Sequence, residues 1–179
     1  MAAARPVTSP TTTIGDLLSG DHLHHGLLGS FYRSKHELVF IFKSGTAPHI
    51  NNVELGKHGR NRCNVWDYPG MNTMREGRLE ELTMHPTVKP VALVADAIMD
   101  CSRRGDILID CFGGSGTTLI AAEQSGRVAH LIEIDPIYVD VTIRRYQKFT
   151  GQEAVHEETG LTFQQLENER TSKSRRGAK

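Results

Sequence analysis

The sequence lacks the features of membrane-spanning and secreted proteins. It has no apolar stretch that approaches the ~20 residues of a membrane span, and its first five residues contain no apolar core of a secretory signal. Its three cysteines, Cys63, Cys101 and Cys111, include no Cys-x-x-Cys pair. Unpaired cysteines favour a reduced setting. We therefore expect a cytoplasmic protein with no membrane partner.

The sequence also lacks a net charge and adjacent prolines. Lys and Arg together number 21, and so do Asp and Glu, so the formal net charge is zero. Because no global field attracts the protein to nucleic acid, such binding requires a local basic surface. The seven prolines stand at positions 6, 10, 48, 69, 86, 90 and 136, so the sequence contains no Pro-Pro loop.

The 179 residues are enough to bury one hydrophobic core, with 38% hydrophobic and 23% charged residues. Residues 1–28 are rich in Thr, Ser, Gly and Pro, and we interpret them as a low-complexity leader. Residues 29–151 are predicted to form the folded domain. Residues 152–179 are predicted to form a short hairpin followed by a basic, disordered tail from Arg170.

The first half of the domain is predicted to contain one strand and a long basic loop. Residues 37–43 form a β-branched and aromatic run, which is typical of a strand buried on both faces. Residues 44–83 show no periodicity, and loops of this length are usually functional or disordered. The loop is locally basic, and its candidate DNA-binding residues are Lys57, Arg60, Arg62 and Arg75.

The second half is predicted to alternate helices and strands with short connections. This alternation is typical of an α/β fold with an open, mostly parallel sheet. Apolar spacing and helix-terminal Gly and Pro residues predict a helix over 90–104, a strand over 106–110, a helix over 117–125, a strand over 128–134 and a helix over 137–149.

A glycine-rich turn joins the first of these strands to the following helix. It reads Asp110-Cys111-Phe112-Gly113-Gly114-Ser115-Gly116-Thr117, and its three glycines allow the backbone to approach a ligand closely. Such a junction binds a small polar ligand beside a helix N-terminus. A phosphate-binding P-loop is excluded because no Gly-Lys-Ser/Thr follows. A dinucleotide is disfavoured because the third glycine of its fingerprint would fall on Leu119. S-adenosylmethionine is the third option.

Three motifs resemble those of DNA methyltransferases that act on exocyclic amino groups. Residues 110–117, as Asp-x-Phe-x-Gly-Ser-Gly-Thr, resemble their S-adenosylmethionine motif, and residues 85–90, His-Pro-Thr-Val-Lys-Pro, resemble its companion. Glu133 ends the next predicted strand, where an acid can accept both ribose hydroxyls. The motif order looks like that of the beta class, in which the DNA-recognition part precedes the cofactor motif. The resemblance covers roughly residues 29–150.

The resemblance implies a partial Rossmann-like methyltransferase fold, with double-stranded DNA as partner and S-adenosylmethionine as cofactor. Asp110 would reach the cofactor's amino group, Glu133 its ribose, and Ile134 and Asp135 would border its adenine. Cys111 stands where the family usually has proline, which implies a less preorganised turn. The implied cofactor-binding residues are Thr87, Lys89, Asp110, Phe112, Gly113, Gly114, Ser115, Gly116, Thr117, Glu133 and Asp135.

The family's catalytic loop, (Asp/Asn/Ser)-Pro-Pro-(Tyr/Phe), has no counterpart in this sequence. That loop accepts hydrogen bonds from the target amino group and stacks on the flipped base. The nearest approach, Asp67-Tyr68-Pro69-Gly70, lacks Pro-Pro and lies in the basic loop. We therefore expect the carboxyl-terminal part of an adenine-N6 or cytosine-N4 methyltransferase, inactive alone, with strand 106–110 left unpaired at one edge. The alternatives are half of a split enzyme, completed by a second chain, and a non-catalytic cofactor- or DNA-binding remnant.

Overall fold

A computed structural model describes residues 12–16, 38–57, 59, 61–68 and 89–177, with only the backbone described for 12–16 and 173–177. In these residues the strands are β1 (Thr12–Asp16), β2 (Val39–Lys43), β3 (Ile107–Asp110) and β4 (Val128–Leu131). The helices are α1 (Val91–Cys101), α2 (Thr117–Ser125), α3 (Pro136–Thr150) and α4 (Phe163–Gly177). Within this part of the chain, no helix is both long and apolar enough to cross a membrane.

The strand–helix–strand unit predicted around the glycine turn is confirmed. β3 and β4 pair in parallel, with Ile107 opposite Val128 and Asp110 opposite Leu131, and α2 connects them. Gly126, with φ 71°, ends α2 by donating its N–H to the carbonyls of Ala122 and Glu123. The chain can therefore return directly into β4, and the ends of both strands meet at the glycine turn.

The core lies on one face of this sheet, where α1 packs against α2. Its buried members are Ala95, Ile98 and Ala121, with Leu108 of β3 packed against them. Small residues at this contact let the helices approach closely, and burial of Ile98 contributes about 2 kcal/mol. On the opposite face, Ile107 and Ile109 of β3 are 65% and 72% exposed.

β3 has a strand partner on one side only in the described residues. The sequence predicted an unpaired edge for strand 106–110, and this remains a prediction. Ile107 and Ile109 of β3 are β-branched, and a parallel sheet normally buries such side chains on both faces.

The first 43 residues contain two paired strands and one departure from the sequence prediction. Thr12–Asp16, predicted as part of a low-complexity leader, forms β1 and pairs antiparallel with β2, Ile14 opposite Ile41. The strand predicted to be buried on both faces is exposed along its whole length, with Ile41 at 63% and Phe42 at 59%. An apolar run indicates a strand, but burial also depends on what covers it, and in the described residues β2 lies in a two-stranded sheet.

The region after α3 contains an antiparallel bridge and, where the sequence predicted a disordered tail, a helix. Val155 and Thr162 form an antiparallel bridge, which closes the turn around Glu158. The basic segment continues as α4 to Gly177. Its first turns are held to α3 because Arg144 pairs with Glu167 at 2.8 Å and lies over the Phe163 ring. These contacts supply the anchoring that composition alone did not predict.

Candidate cofactor site

The glycine turn folds back against the end of β4. The N–H of Gly113 donates to the carbonyl of Ile132 at 2.9 Å, and the N–H of Gly116 donates to the carbonyl of Gly113 at 2.8 Å. A Cβ on Gly113 would lie 3.1 Å from Leu131 Cδ2. Gly116 has φ +79°, which L side chains rarely adopt. The two glycines therefore allow both the close approach to β4 and the entry into α2.

Asp110 ends β3 and its carboxylate is fixed at the start of the turn. One oxygen accepts the N–H of Phe112 at 2.9 Å, and the other accepts the hydroxyl of Thr118 at 2.6 Å. Each carboxylate oxygen retains acceptor capacity. This orientation gives the turn a negative group that can receive an ammonium donor.

Glu133 bridges the turn and the segment after β4. Its Oε2 accepts the N–H of Gly114 at 2.7 Å, and its Oε1 accepts the N–H of Asp135 at 2.9 Å. Two backbone amides thus fix both oxygens of the carboxylate in space. A carboxylate fixed in this way beyond the end of a parallel strand is a suitable acceptor for ribose hydroxyls.

Apolar side chains flank the two acids. Phe112 is 81% exposed and Ile134 is 97% exposed. Each follows an acid at the end of a strand, Asp110 on β3 and Glu133 just beyond β4. An acid beside an exposed apolar surface suits a ligand that combines polar groups with a flat ring.

α3 supports the turn from behind through two residues that sequence reasoning did not select. Thr142 donates its hydroxyl to the carbonyl of Gly114 at 2.9 Å. Arg145 donates to the carbonyl of Ser115 and to the hydroxyl of Thr117, both at 3.1 Å. Their spacing of three residues places them on one helix face, which was the available signal. Thr118, whose partner is Asp110, was also missed.

The remaining predicted cofactor residues have mainly structural contacts. Ser115 and Thr117 are buried, and Asp135 caps α3 by accepting the N–H of Ile137 at 2.8 Å. The carbonyl of Lys89 accepts the hydroxyl of Thr117 at 3.5 Å, so the end of the companion motif lies beside the turn. Thr87 lies outside the described residues.

Two of the four predicted DNA-binding residues lie in the described part of the loop. Lys57 is exposed and 3.5 Å from Glu54. Arg62 pairs with Asp96 at 2.7 Å and also with Asp100, both on α1. Burial lowers the pKa of Arg62, but the charges of Asp100 and Asp96 outweigh that effect and raise it overall. Arg60 and Arg75 lie outside the described residues.

Comparison with known proteins identifies the family. The fold and the turn define a Rossmann-like domain with a candidate nucleotide-cofactor site. Residues 27–144 match the family model N6_N4_Mtase, described as DNA methylase. This match covers more than half of the chain, so the chain belongs to that family of DNA amino-methyltransferases.

Several known proteins are similar to parts of this chain. DNA adenine methyltransferase YhdJ of Escherichia coli (strain K12) is 42% identical over 82 residues, which are 46% of this chain and 26% of that protein. Type II methyltransferase M.ScaI of Streptomyces caespitosus is 29% identical over 125 residues, 65% of this chain and 41% of that protein. The solved M1.HpyAVI–SAM complex is 25% identical, with coverage of 62% and 50% and a TM-score of 0.45. The chain thus spans less than half the length of these two curated relatives.

Proposed function

We propose that the chain binds S-adenosylmethionine at the glycine turn. The observation that supports this most directly is the hydrogen bond from the Gly114 N–H to Glu133. It fixes an acid beside the turn formed by the S-adenosylmethionine motif. In this arrangement Glu133 accepts from the ribose, and Asp110 accepts from the amino group of the methionine part. Ile134, which is 97% exposed, supplies an apolar border for the adenine.

The residues present fit this cofactor. It contains an ammonium group, a ribose and a flat base, and the described turn offers two fixed carboxylates and two exposed apolar side chains. When bound, the cofactor supplies an activated methyl group on sulfur. The residues of the described turn bind and orient the cofactor, and they remove no proton from a target base.

We propose that the intact activity is methylation of an exocyclic amino group of adenine (N6) or cytosine (N4) in double-stranded DNA. The nitrogen lone pair of such a group is delocalised into the base, so catalysis needs acceptors that localise it. The family's Pro-Pro loop provides them, and these 179 residues contain no adjacent prolines. The chain by itself is therefore expected to bind cofactor without transferring methyl groups.

Titration calorimetry tests the cofactor site. The wild-type chain is expected to bind S-adenosylmethionine and S-adenosylhomocysteine with one-to-one stoichiometry. Glu133→Ala is expected to weaken binding by at least about tenfold, because hydrogen bonds to a charged group contribute ~1.5–3 kcal/mol. Glu123→Ala is the matched control, since Glu123 is exposed on α2 outside the turn. Equal affinities of the two variants would refute the ribose assignment.

A transfer assay tests the proposed lack of activity. Duplex DNA containing adenine and cytosine targets is incubated with the chain and methyl-labelled cofactor. We expect no incorporation above that of a heat-denatured sample. Robust turnover by the purified chain would mean that a different set of residues localises the amino group.

One observation favours a second candidate, half of a split enzyme. β3 has an open edge in the described residues, and Ile107 and Ile109 are exposed beside it. A second polypeptide carrying a strand and the Pro-Pro loop would cover both. Adding the Pro-Pro-containing half of a related enzyme in the transfer assay is expected to restore incorporation. Restoration with wild-type chain but not with Glu133→Ala would place the cofactor on this chain.

A further inference from the structure

Arg62 lies between two carboxylates on the last turns of α1. Its guanidinium is 2.7 Å from Asp96 and also hydrogen-bonds Asp100, and these acids are four residues apart on one helix face. All three side chains are partly buried, between 24% and 33% exposed. A guanidinium has a rigid fork of donors, which suits simultaneous contact with two carboxylates.

The surrounding loop is attached to the same helix at both of its ends. Asn52 donates its amide to the carbonyls of Met99 and Ser102, both at 2.8 Å, and so satisfies acceptors at the end of α1. The hydroxyl of Tyr68 donates to Asp96. Arg62 therefore lies in the chain between Asn52 and Tyr68, the two residues that attach the segment 51–68 to α1 and its C-terminal end.

These contacts are unfavourable for a phosphate ligand at Arg62. One positive and two negative groups give this cluster a formal charge of −1. A DNA phosphate approaching it would meet net repulsion and would have to displace a partly buried ion pair. The ring of Trp66, 5.6 Å from the guanidinium, also covers Arg62.

We propose that Arg62 is a positioning residue that clamps residues 51–68 onto α1, while other residues of this segment contact DNA. The DNA part of this inference rests on the proposed function. Because α1 also packs against α2 through Ala95, Ile98 and Ala121, the clamp fixes the candidate recognition loop relative to the helix that carries the cofactor turn.

Substitution of Asp100 separates the two roles. Asp100→Asn removes a negative charge, so a purely electrostatic role predicts unchanged or tighter DNA binding. The clamp predicts weaker binding, about fivefold, because Arg62 loses one partner. Asp67→Asn is the matched control, since Asp67 is an exposed carboxylate in the same segment. Tighter binding by Asp100→Asn, or equal effects of the two variants, would overturn the proposal.

The salt dependence of DNA binding provides a second readout. Arg62→Gln is expected to weaken binding at every salt concentration without changing the slope of log K against log salt. A slope reduced by about 0.9 would identify a lost phosphate contact and contradict the clamp. Arg62→Lys is expected to recover part of the affinity, because an ammonium can pair with one carboxylate at a time.

Hydrogen exchange without DNA tests the clamp independently of the proposed function. Arg62→Gln and Asp100→Asn are expected to accelerate exchange of the Val53 and Glu54 amides, which are bonded to Asn51 in the same segment. Exchange in α2 and the affinity for S-adenosylmethionine should stay unchanged. A general loss of stability would instead accelerate exchange in α2 as well. If wild-type chain fails to bind DNA, the recognition role fails while exchange still decides the clamp. Unchanged exchange in both Arg62→Gln and Asp100→Asn would overturn it.

Discussion

Gly116 and Thr142 are packed so closely that no side chain fits at position 116. A Cβ there would lie 2.6 Å from Thr142 Cγ2 and 2.9 Å from Thr142 Oγ1. Thr142 cannot turn away without loss, because its hydroxyl donates to the carbonyl of Gly114. The residue just before α2 and the middle of α3 therefore determine together where the cofactor turn lies.

Gly116→Ala is expected to destabilise the protein by about 2–4 kcal/mol. The substitution adds the strain of a positive φ to an overpacked contact, and each contributes ~1–3 kcal/mol. Urea unfolding measures the change in the free energy of unfolding. Gly56→Ala is the control, because Gly56 has the same φ of +79° but no atom within 4 Å of the added Cβ. It is expected to cost only about 1 kcal/mol.

Adding Thr142→Ala to Gly116→Ala should recover part of that loss. The second substitution removes both nearest atoms, while the strain at position 116 remains. A double-mutant cycle measures this coupling, which is expected to be about 1 kcal/mol or more. Additive effects would mean that backbone strain alone explains the glycine.

Arg145→Met is expected to lower cofactor affinity by about threefold to tenfold. The substitution removes donors to Ser115 and Thr117, so the turn and the start of α2 lose support. Arg144→Met is the matched control, because Arg144 is the adjacent arginine but contacts Glu167 and Phe163 on α4 instead of the turn. Calorimetry with S-adenosylhomocysteine compares the two. Equal losses would show that α3 supports the turn only through general stability.

Thr118→Val tests whether the orientation of Asp110 is important for binding. Valine keeps the branched shape but removes the hydroxyl that donates to Asp110 at 2.6 Å. We expect a several-fold weaker affinity for S-adenosylmethionine and a loss of stability of about 1 kcal/mol. Thr171→Val removes a comparable hydroxyl from α4, where it bonds the Glu167 carbonyl, and should leave cofactor affinity unchanged.

Local sequence signals predicted the turn and the elements beside it. The apolar run before Asp110, the three glycines and the stop at Gly126 all act within one element or one turn, so they are visible in the sequence. The residues that support the turn could not be predicted in this way. Thr142 is 28 residues from Gly114 and Arg145 is 30 residues from Ser115, and these contacts depend on how α3 packs.

Non-local pairing also explains two contacts that the sequence did not reveal. β1 lies in a segment of weak apolar character, and its strand depends on hydrogen bonds to β2, more than 20 residues later. Arg62 looked like a surface cation because its partner Asp100 is 38 residues away. In both cases the composition described the local segment correctly but gave no information about the distant residues that pair with it.

Tyr68 gives the loop a dependence on alkaline pH. Burial and the hydrogen bond to Asp96 raise the pKa of Tyr68 above its usual value of 10.0. A raised pKa in the folded state means that the contribution to stability is complete below the unfolded pKa and is lost as pH rises through the folded pKa. The melting temperature of the wild-type chain should therefore fall more steeply above about pH 10 than that of Tyr68→Phe.

The effect on the loop should be local. Ionised Tyr68 can no longer donate to Asp96, and two adjacent negative groups repel each other. Amide exchange in residues 61–68 is expected to accelerate above pH 10 in wild type, relative to the chemical exchange rate, and Tyr68→Phe should show no such step. Tyr146→Phe on α3 is the control and should keep the wild-type profile. A step that persists in Tyr68→Phe would assign the transition to another group.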